Sequence, residues 1–215
     1  HTLGIFSVID PEIVSAMEFH KGGFPPEYGG RMSSVLTVVT RDGNRNRLSG
    51  TAQAGMLSGK LSIEGPVPDG SFFVSGRKSW YAAVLKKYLS GREAPFDFYD
   101  AFAKVTFQNA GIDENSRFVL FTFLSEDGVR HDDPFRSDYG IRNTVFGLNW
   151  YRVWSSPLYS TLTIASSGLD AYMNPKFSSA LPRRNTVRDL TVNLDFTYIY
   201  DSRDEVAFGL HSKFL

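Results

Sequence analysis

GGFPPEYGGRMSSVLTVVTRDG, residues 22–43, is the stretch on which the fold depends, because it joins two kinds of sequence. Its glycine pairs, Gly22-Gly23 and Gly29-Gly30, interrupt regular structure, and the Pro-Pro pair between them stiffens the backbone. The β-branched and apolar run at residues 35–40 predicts a buried strand. The turn dipeptide Asp42-Gly43 predicts its end.

Downstream of this stretch, polar and apolar residues alternate, most regularly in residues 189–200. One face there carries Leu190, Val192, Leu194, Phe196, Tyr198 and Tyr200, and the other carries Asp189, Thr191, Asn193, Asp195 and Thr197. Such alternation predicts a strand with one apolar and one polar face. Eight further segments predict strands: residues 47–56, 59–67, 71–82, 98–108, 116–126, 143–154, 158–170 and 205–214.

From the second predicted strand on, short and long connections alternate. The short ones are residues 67–70, 111–115, 155–157 and 201–204, and the long ones are residues 85–97, 127–142 and 170–187. This arrangement is typical of transmembrane barrels, which have tight periplasmic turns at one rim and long external loops at the other.

The start of the chain does not show this alternation of polar and apolar residues. Asp10-Pro11-Glu12 is a helix-start signal and predicts a turn or two of helix from Pro11 to about Ser15. Residues 17–21 then predict a strand. We therefore expect residues 1–44 to be the last part of a small α/β domain.

Composition limits the function classes. The chain has 215 residues, no cysteine and a formal net charge of zero. These values argue against a nucleic-acid-binding protein, which needs a basic surface, and exclude disulfides and thiolate metal sites. The mean hydropathy is -0.20 and no apolar run has the length of a membrane-spanning helix, whereas 14% aromatic residues suit a β-rich chain. The first residues lack a start methionine and a signal peptide, so we expect an internal fragment.

The opening stretch resembles the C-terminal end of the plug domain in TonB-dependent outer-membrane receptors. The residues that carry the resemblance are the strand at 17–21, Gly22-Gly23, Tyr28-Gly29-Gly30 and the strand at 35–41. The resemblance continues through EGPVPDGSFFVSGRKSWY, residues 64–81, and is nearest to the branch that often carries an N-terminal carboxypeptidase-like regulatory domain.

This resemblance implies a fold and a location. Residues 1–44 would be the end of the plug domain. Residues 45–215 would be about the first nine strands of a 22-stranded transmembrane antiparallel β-barrel, so the chain is mainly β. The barrel would lie in the outer membrane of a Gram-negative bacterium.

The resemblance also implies a function, namely active uptake of a nutrient ligand: an iron chelate, cobalamin, a glycan or a peptide. A TonB-type energy-transducing complex, powered by the proton gradient, would pull on an N-terminal segment upstream of this chain. The other partners are outer-membrane lipid and, in this family, a surface lipoprotein. The resemblance implies no cofactor and no nucleic acid.

The cost of placing charge in lipid predicts which side chains face the lumen. Arg77 on the lipid face near mid-bilayer would cost ~2–4 kcal/mol, so we place it inside. The same phase argument places Asp100, Lys104, Thr106, Gln108, Asn149 and Asp195 inside, and Tyr99, Ala101, Ala103, Val105, Phe107, Phe146, Leu148, Trp150 and Trp154 outside. Arg152 shares the outer phase and would have to lie at the interface. Residues 118–124 are apolar on both faces, which leaves their phase open.

We expect the gating hinge to comprise Gly22, Gly23, Tyr28, Gly29, Gly30 and Arg31. Arg31 and Arg41 flank the last strand of the plug-like region, and the resemblance implies that plug arginines pair with acids of the barrel wall. Glu64 is the nearest acid that we expect inside.

Catalytic and metal-binding patterns are absent from the sequence. It contains no phosphate-binding glycine loop and no G-x-S-x-G nucleophile elbow. His131-Asp132-Asp133 has no second ligand group at a useful spacing, so we predict a solvated loop there and no metal. Arg183-Arg184 is either a solvated loop tip or a contact for an anionic ligand or lipopolysaccharide.

The sequence therefore favours a transport protein over an enzyme. The alternatives are a passive outer-membrane porin or adhesin barrel and a soluble β-sandwich, either a carbohydrate-binding module or a hydrolase fragment.

Overall fold

The chain is mainly β. The computed structural model describes residues 9–23, 28, 33–80, 96–109, 113–177, 179–201 and 204–215. This part of the chain forms two antiparallel sheets, one of two strands and one of nine. A 3-10 turn, Pro11–Ile13, precedes the first strand.

The strands follow one another in the order of the chain. The small sheet pairs β1 (Val14–His20) with β2 (Val35–Thr40). The large sheet consists of β3 (Ser49–Ala54), β4 (Ser58–Val67), β5 (Gly70–Ser79), β6 (Phe96–Gln108), β7 (Ser116–Val129), β8 (Asp138–Ser155), β9 (Leu158–Asn174), β10 (Arg183–Ile199) and β11 (Glu205–Phe214). Each of its strands pairs with its neighbours in sequence, so β3 and β11 are its two open edges.

The nine alternating segments predicted as strands are confirmed as the nine strands of the large sheet. Their ends differ from the prediction, because backbone pairing continues where the apolar alternation stops. Tyr139, for example, still pairs with Val129, and Arg184 still pairs with Tyr172.

Two of the predicted long connections are therefore shorter than expected. Residues 127–142 reduce to a connection at 130–137, and residues 170–187 reduce to one at 175–182. The connection predicted at 85–97 lies mainly outside the described residues. Because residues 109–115 form a connection of similar length, the contrast between the two ends of the sheet is smaller than the sequence indicated.

The predicted helix from Pro11 to about Ser15 is a single 3-10 turn that ends at Ile13. Asp10 caps it, since its Oδ1 accepts a hydrogen bond of 3.0 Å from the Glu12 backbone N–H. Val14 is already extended and pairs with Thr40, so β-pairing replaces the helix. The strand predicted at 17–21 is confirmed but begins at Val14. The described part of residues 1–44 holds no α-helix, so only the strand half of the α/β expectation is seen.

The nine-stranded sheet has two chemically different faces. Residues 9–23, 28 and 33–42, here called the docking segment, contact one of them, which we call the docked face. Cross-strand neighbours on the docked face of β4 to β8 are Glu64, Phe73, Lys104, Phe121 and Gly147. The opposite face, here the apolar face, carries Leu61, Ile63, Val74, Ala103, Val105, Leu120, Phe146, Leu148, Ile164 and Leu190.

A small hydrophobic core lies between the docking segment and the docked face. Buried Ile13 packs with Phe73 and Phe102, whose ring centroids are 6.1 Å apart. Phe121 joins from the side and fits there because residue 147 is glycine, where a Cβ would lie 2.2 Å from its ring. The phase of residues 118–124, which the sequence left open, is thus fixed with the odd-numbered residues on the docked face.

Candidate functional site

Charged residues of opposite sign meet where the docking segment lies on the docked face. The segment contributes three carboxylates and one guanidinium, those of Asp10, Glu12, Asp42 and Arg41. Their partners on the sheet are three cations and one carboxylate, those of Lys60, Lys104, Arg117 and Glu64. The two surfaces therefore have complementary charge, and each partner fixes the position of the segment over one strand.

Lys60 on β4 holds the start of the segment. Its Nζ lies 2.7 Å from Asp10 Oδ2, an ion pair that does not meet hydrogen-bond geometry, and it also donates a hydrogen bond to Glu12. The Lys60 and Asp10 side chains are only 8% and 7% exposed, respectively. Both charges are nearly removed from water, so each depends on the other. The hydrogen bond from Lys60 also holds the pKa of the Glu12 carboxyl below its ordinary value.

Arg41 confirms the predicted pairing with Glu64. Its Nη2 donates hydrogen bonds of 2.7 and 2.8 Å to the two carboxylate oxygens of Glu64. Its guanidinium carbon also lies 4.9 Å from the centroid of the Phe73 ring. Glu64 further accepts a bond from the Asn44 backbone N–H at 3.1 Å, which binds the residues after β2 to the large sheet.

Asp42 connects the segment to two strands at once. Its carboxylate lies 2.9 Å from Lys104 Nζ on β6 and 2.7 Å from Arg117 Nη2 on β7. Lys104 Nζ also donates to the backbone oxygen and Oγ1 of Thr40, at 2.8 and 3.2 Å, so its three donors are all used. Partial burial opposes ionisation of Asp42, but Lys104 and Arg117 outweigh it and hold the pKa of this carboxyl below its ordinary value.

The residues that follow Asp42 pass very close to the sheet. A Cβ at Gly43 would lie 1.9 Å from the backbone oxygen of Phe72, closer than any side chain can come. Glycine is therefore required at this position for the close approach to β5. Packing against β5, as well as turn formation, thus explains the glycine in the Asp42-Gly43 dipeptide.

Of the predicted lumen residues, Arg77 and Asp100 form a pair within the large sheet itself. Arg77 Nη2 and Nε lie 2.7 and 2.8 Å from Asp100 Oδ2, and both residues are on the docked face. The guanidinium carbon of Arg77 also lies 5.2 Å from the ring centroid of Phe98. Lys104, a third predicted residue, belongs to the Asp42 cluster.

The other two predicted lumen residues lie away from these pairs. Asn149 lines a cavity of about 950 Å³ between the docking segment and strands β6 to β8. Its lining combines apolar residues, such as Ile13, Val38 and Phe123, with the polar residues Lys104 and Asn149. Asp195 is an exposed residue of β10 on the same face but outside this cavity.

The predicted hinge is only partly within the described residues. Gly22 and Gly23 have φ angles of 96° and 61°, a left-handed backbone that favours glycine and ends β1 sharply. Tyr28 Oη lies 3.4 Å from Thr37 Oγ1 on β2. Gly29, Gly30 and Arg31 lie outside the described residues, and the gating role of the hinge remains a prediction.

Sequence reasoning missed two partners on the sheet, Lys60 and Arg117, and one residue of the docking segment, Asp42. Lys60 shares the period-2 phase of Glu64, so the alternation could have placed it on the same face. Arg117 lies at the start of β7, next to the apolar run whose phase the sequence left open. Asp42 was interpreted only as a turn residue.

The apolar face contrasts with the docked face because its large hydrophobic side chains are exposed. Phe146 on β8 is 54% exposed and Phe208 on β11 is 60% exposed. Arg152, which shares this face as predicted, lies near one end of β8, 3.0 Å from an Asp113 oxygen and with its guanidinium carbon 4.0 Å from the Trp154 ring centroid. These contacts explain how a cation lies on an otherwise apolar face.

The structure gives two further findings on function classes. In the described ranges, no group of three or more His, Asp or Glu side chains is arranged to hold a metal ion. His131 instead has Nδ1 at 3.1 Å from the Ser137 backbone oxygen. A helix long and apolar enough to cross a bilayer does not occur among the described residues.

Comparisons of the chain with protein-family models, with curated proteins and with solved structures each found no match.

Proposed function

We propose that this chain is the part of a TonB-dependent outer-membrane receptor in which the plug ends and the barrel begins. In this proposal the docking segment is the last part of the plug, β3 to β11 are barrel strands, and the whole receptor takes up a nutrient ligand across the outer membrane. The proposal assigns the chain a part in transport and no covalent chemistry.

The observation that carries the proposal is the inverted distribution of polarity between the two faces. Soluble proteins bury apolar side chains and leave charges in water. Here the covered face holds the ion pairs of Lys60, Arg77 and Lys104, and the uncovered face exposes Phe146 and Phe208. Lipid is the surroundings in which such an exposed apolar face is favourable.

The length of the apolar stretch on β8 agrees with a bilayer. Arg142 and Arg152 lie on the apolar face ten residues apart, with Thr144, Phe146, Leu148 and Trp150 between them. Ten residues span ~34 Å along a strand at ~3.4 Å per residue. With a strand tilt of ~40°, the two arginines are ~26 Å apart along the membrane normal, close to the ~25 Å height of a barrel's apolar band.

The ion pairs suit a plug that must be released. Each pair can exchange its partner for water when the segment moves, whereas an apolar contact of equal area would oppose release through the hydrophobic effect. The segment is anchored on β4, β6 and β7 through Lys60, Glu64, Lys104 and Arg117. Pulling on the upstream plug would then open a passage along this wall.

The facing of the sheet is tested with nitroxide spin labels in the full-length receptor. One label replaces Leu148 and the other replaces its neighbour Asn149, which points to the opposite face. In a membrane, the label at 148 collides with dissolved oxygen and the label at 149 with a water-soluble nickel chelate. A label at 148 that neither reagent reaches would mean that protein covers this face, as in a β-sandwich, and would refute the proposal.

Transport is tested by cell fractionation and uptake. We expect the full-length protein in the outer membrane, with a gel mobility that changes on heating, and ligand accumulation that stops when the proton gradient is dissipated. Accumulation that continues without the gradient would assign the chain to a passive porin instead.

A further inference from the structure

One end of the apolar face carries a polar row that the transport proposal does not use. Tyr99, Glu126, Arg142, Asp170 and Thr186 are consecutive cross-strand neighbours on β6 to β10. The row lies at the end of the sheet where residues 130–137 and 175–182 connect the strands. It lies at the polar end of the apolar face, and the next row on that face still contains Arg188 on β10.

The acids of this row are covered, whereas the arginines that bond to them, Arg142 in the row and Arg184 beside it, are exposed. Glu126 accepts hydrogen bonds from Arg142 Nε and Nη2 at 3.1 and 2.8 Å and from the Tyr99 hydroxyl at 2.9 Å. Asp170 accepts bonds from Arg184 Nε at 3.2 Å and from the Thr186 hydroxyl at 2.5 Å. The Glu126 side chain is 14% exposed, whereas that of Arg184 is 68% exposed. A molecule that approaches from outside therefore meets guanidinium groups first.

The arginines border a concave site. A cavity of about 460 Å³ is lined by Arg142, Arg183, Arg184, Asp170 and Tyr172, with Asn174 and Pro182 at its edge. Arg142 and Arg184 lie on the same face as Asp170, so two guanidiniums flank a single carboxylate there, whereas Arg183 has the opposite phase on β10. The ring of Tyr172 lies over Gly140, where a Cβ would be 2.2 Å from Tyr172 Cζ, so the wall of the cavity depends on glycine at that position.

We propose that this arginine site binds a phosphate group of the lipid in the outer leaflet. The inference rests on the proposed function, because the membrane orientation puts the site at the level of the lipid headgroups. Guanidinium is suited to phosphate because its planar donors match two phosphate oxygens at once. The acids beneath hold the arginines in place. Arg142 donates from Nε and Nη2 to Glu126, and the remaining N–H groups of its guanidinium, which has five in all, are left for a ligand.

The adjoining apolar face supports a lipid over a free anion. Phe146 and Leu190 lie on this face four residues further along β8 and β10 from Arg142 and Thr186, where acyl chains of a bound lipid would pack. A free phosphate would gain nothing from these side chains. The cavity accordingly binds the headgroup, and the sheet below it contacts the chains.

The test uses the full-length receptor, purified in an uncharged detergent, with native mass spectrometry to count bound lipid. The probe is bisphosphorylated lipid A, compared with the same lipid after phosphatase treatment and with inorganic phosphate. The variant is the double substitution Arg142→Gln and Arg184→Gln. The matched control is Arg152→Gln, an arginine on the same face at the opposite end.

We expect the double variant to bind phosphorylated lipid about tenfold less tightly, the effect of losing charge-assisted hydrogen bonds. The Arg152→Gln control and the dephosphorylated lipid should show no such difference. Equal binding by the wild type and the double variant would overturn the proposal, and so would equal binding of the dephosphorylated lipid. Displacement by an equal concentration of inorganic phosphate would also overturn it, because the site would then belong to a free anion.

Two controls keep the outcome clear. Heat-dependent gel mobility shows whether each variant folds. If the double variant does not fold, Arg184→Gln alone is measured, since Arg184 is exposed and Thr186 still bonds to Asp170. If the spin labels report a lipid-facing sheet but the arginine substitutions leave lipid binding unchanged, the arginine site alone is refuted. A sheet that does not face lipid refutes the proposed function.

Discussion

Replacing Lys60 with methionine should release the docking segment from the sheet. Methionine keeps most of the length of the side chain and removes the charge, so that Asp10 stays buried in the docked state without a cation. When the segment undocks, Asp10 returns to water and this penalty disappears. The substitution therefore destabilises the docked state relative to the undocked one.

The size of the effect follows from burial. Removing one partner of a buried ion pair costs about 3–5 kcal/mol, because the remaining charge is uncompensated. Glu12, the second partner of Lys60, is half exposed and adds little. Since ~1.4 kcal/mol changes an equilibrium constant tenfold, the fraction of undocked segment should rise roughly 100- to 5,000-fold.

The chain contains no cysteine, so a single introduced thiol reports docking. Ser75 is buried on the docked face of β5, opposite Phe102 of the core, and Ser75→Cys changes its volume little. A maleimide reagent labels this thiol only when the segment is undocked. If docking and undocking are fast relative to labelling, the labelling rate follows the undocked fraction.

Two further variants separate the ion pair from a general loss of structure. Adding Asp10→Asn to Lys60→Met should restore slow labelling, because the amide is neutral and still caps the Pro11–Ile13 turn. Lys78→Met, which removes an exposed lysine from the opposite face, should leave the rate unchanged. A rise of less than about fivefold for Lys60→Met would refute the reasoning, since about fivefold corresponds to the ~1 kcal/mol upper limit of a surface pair.

Three other predictions follow from the same structure. Because docking lowers the pKa of Asp42, the contribution of this carboxyl to docking is complete above the ordinary value of about 3.9 and is lost as the pH falls through the lowered pKa. Labelling with an acid-tolerant dithiodipyridine should therefore accelerate below about pH 4, and Asp42→Asn should reduce that acceleration; an unchanged pH dependence would contradict the role of Asp42. Gly43→Ala should lower the temperature at which the compact gel band is lost, whereas Gly168→Ala, with open space around its Cβ, should not; equal temperatures would contradict the required close approach. Leu148→Lys should reduce the folded receptor in outer membranes by the ~2–4 kcal/mol cost of a cation in lipid, whereas Asn149→Lys should be tolerated; equal yields would contradict the assignment of faces.

The sequence predicted the strands well because each strand has one apolar and one polar face. Period-2 alternation is a local property, and all nine segments that show it form strands. The ends were less predictable: the outer parts of β8 to β10 are held by cross-strand hydrogen bonds rather than by apolar packing, so alternation gave no signal there. Arg183-Arg184, predicted to lie in a long connection, begins β10 for this reason.

The candidate site was predictable only where the phase of a strand was known. Arg77, Asp100 and Lys104 were assigned to one face, and all three lie on the docked face, because a single cost argument fixes a whole strand once one charge is assigned. The partners Lys60 and Asp42 required knowledge of where the docking segment lies, which is a long-range contact that no local pattern encodes. The pairing of Arg41 with Glu64 could be predicted because it required only that Glu64 lie on the face of the sheet that the segment contacts.

The balance of forces at the docked face indicates how firmly the segment is held. Its apolar core is small, with Ile13, Phe73 and Phe102 at the centre, whereas ion pairs reach three different strands. A large apolar interface would resist separation in proportion to its area, at ~25 cal/mol per Å². Ion pairs lose most of their energy within a few ångströms once water enters between the charges. A segment held in this way is well positioned at rest and yields to a short displacement, which is the behaviour that a pulled plug requires.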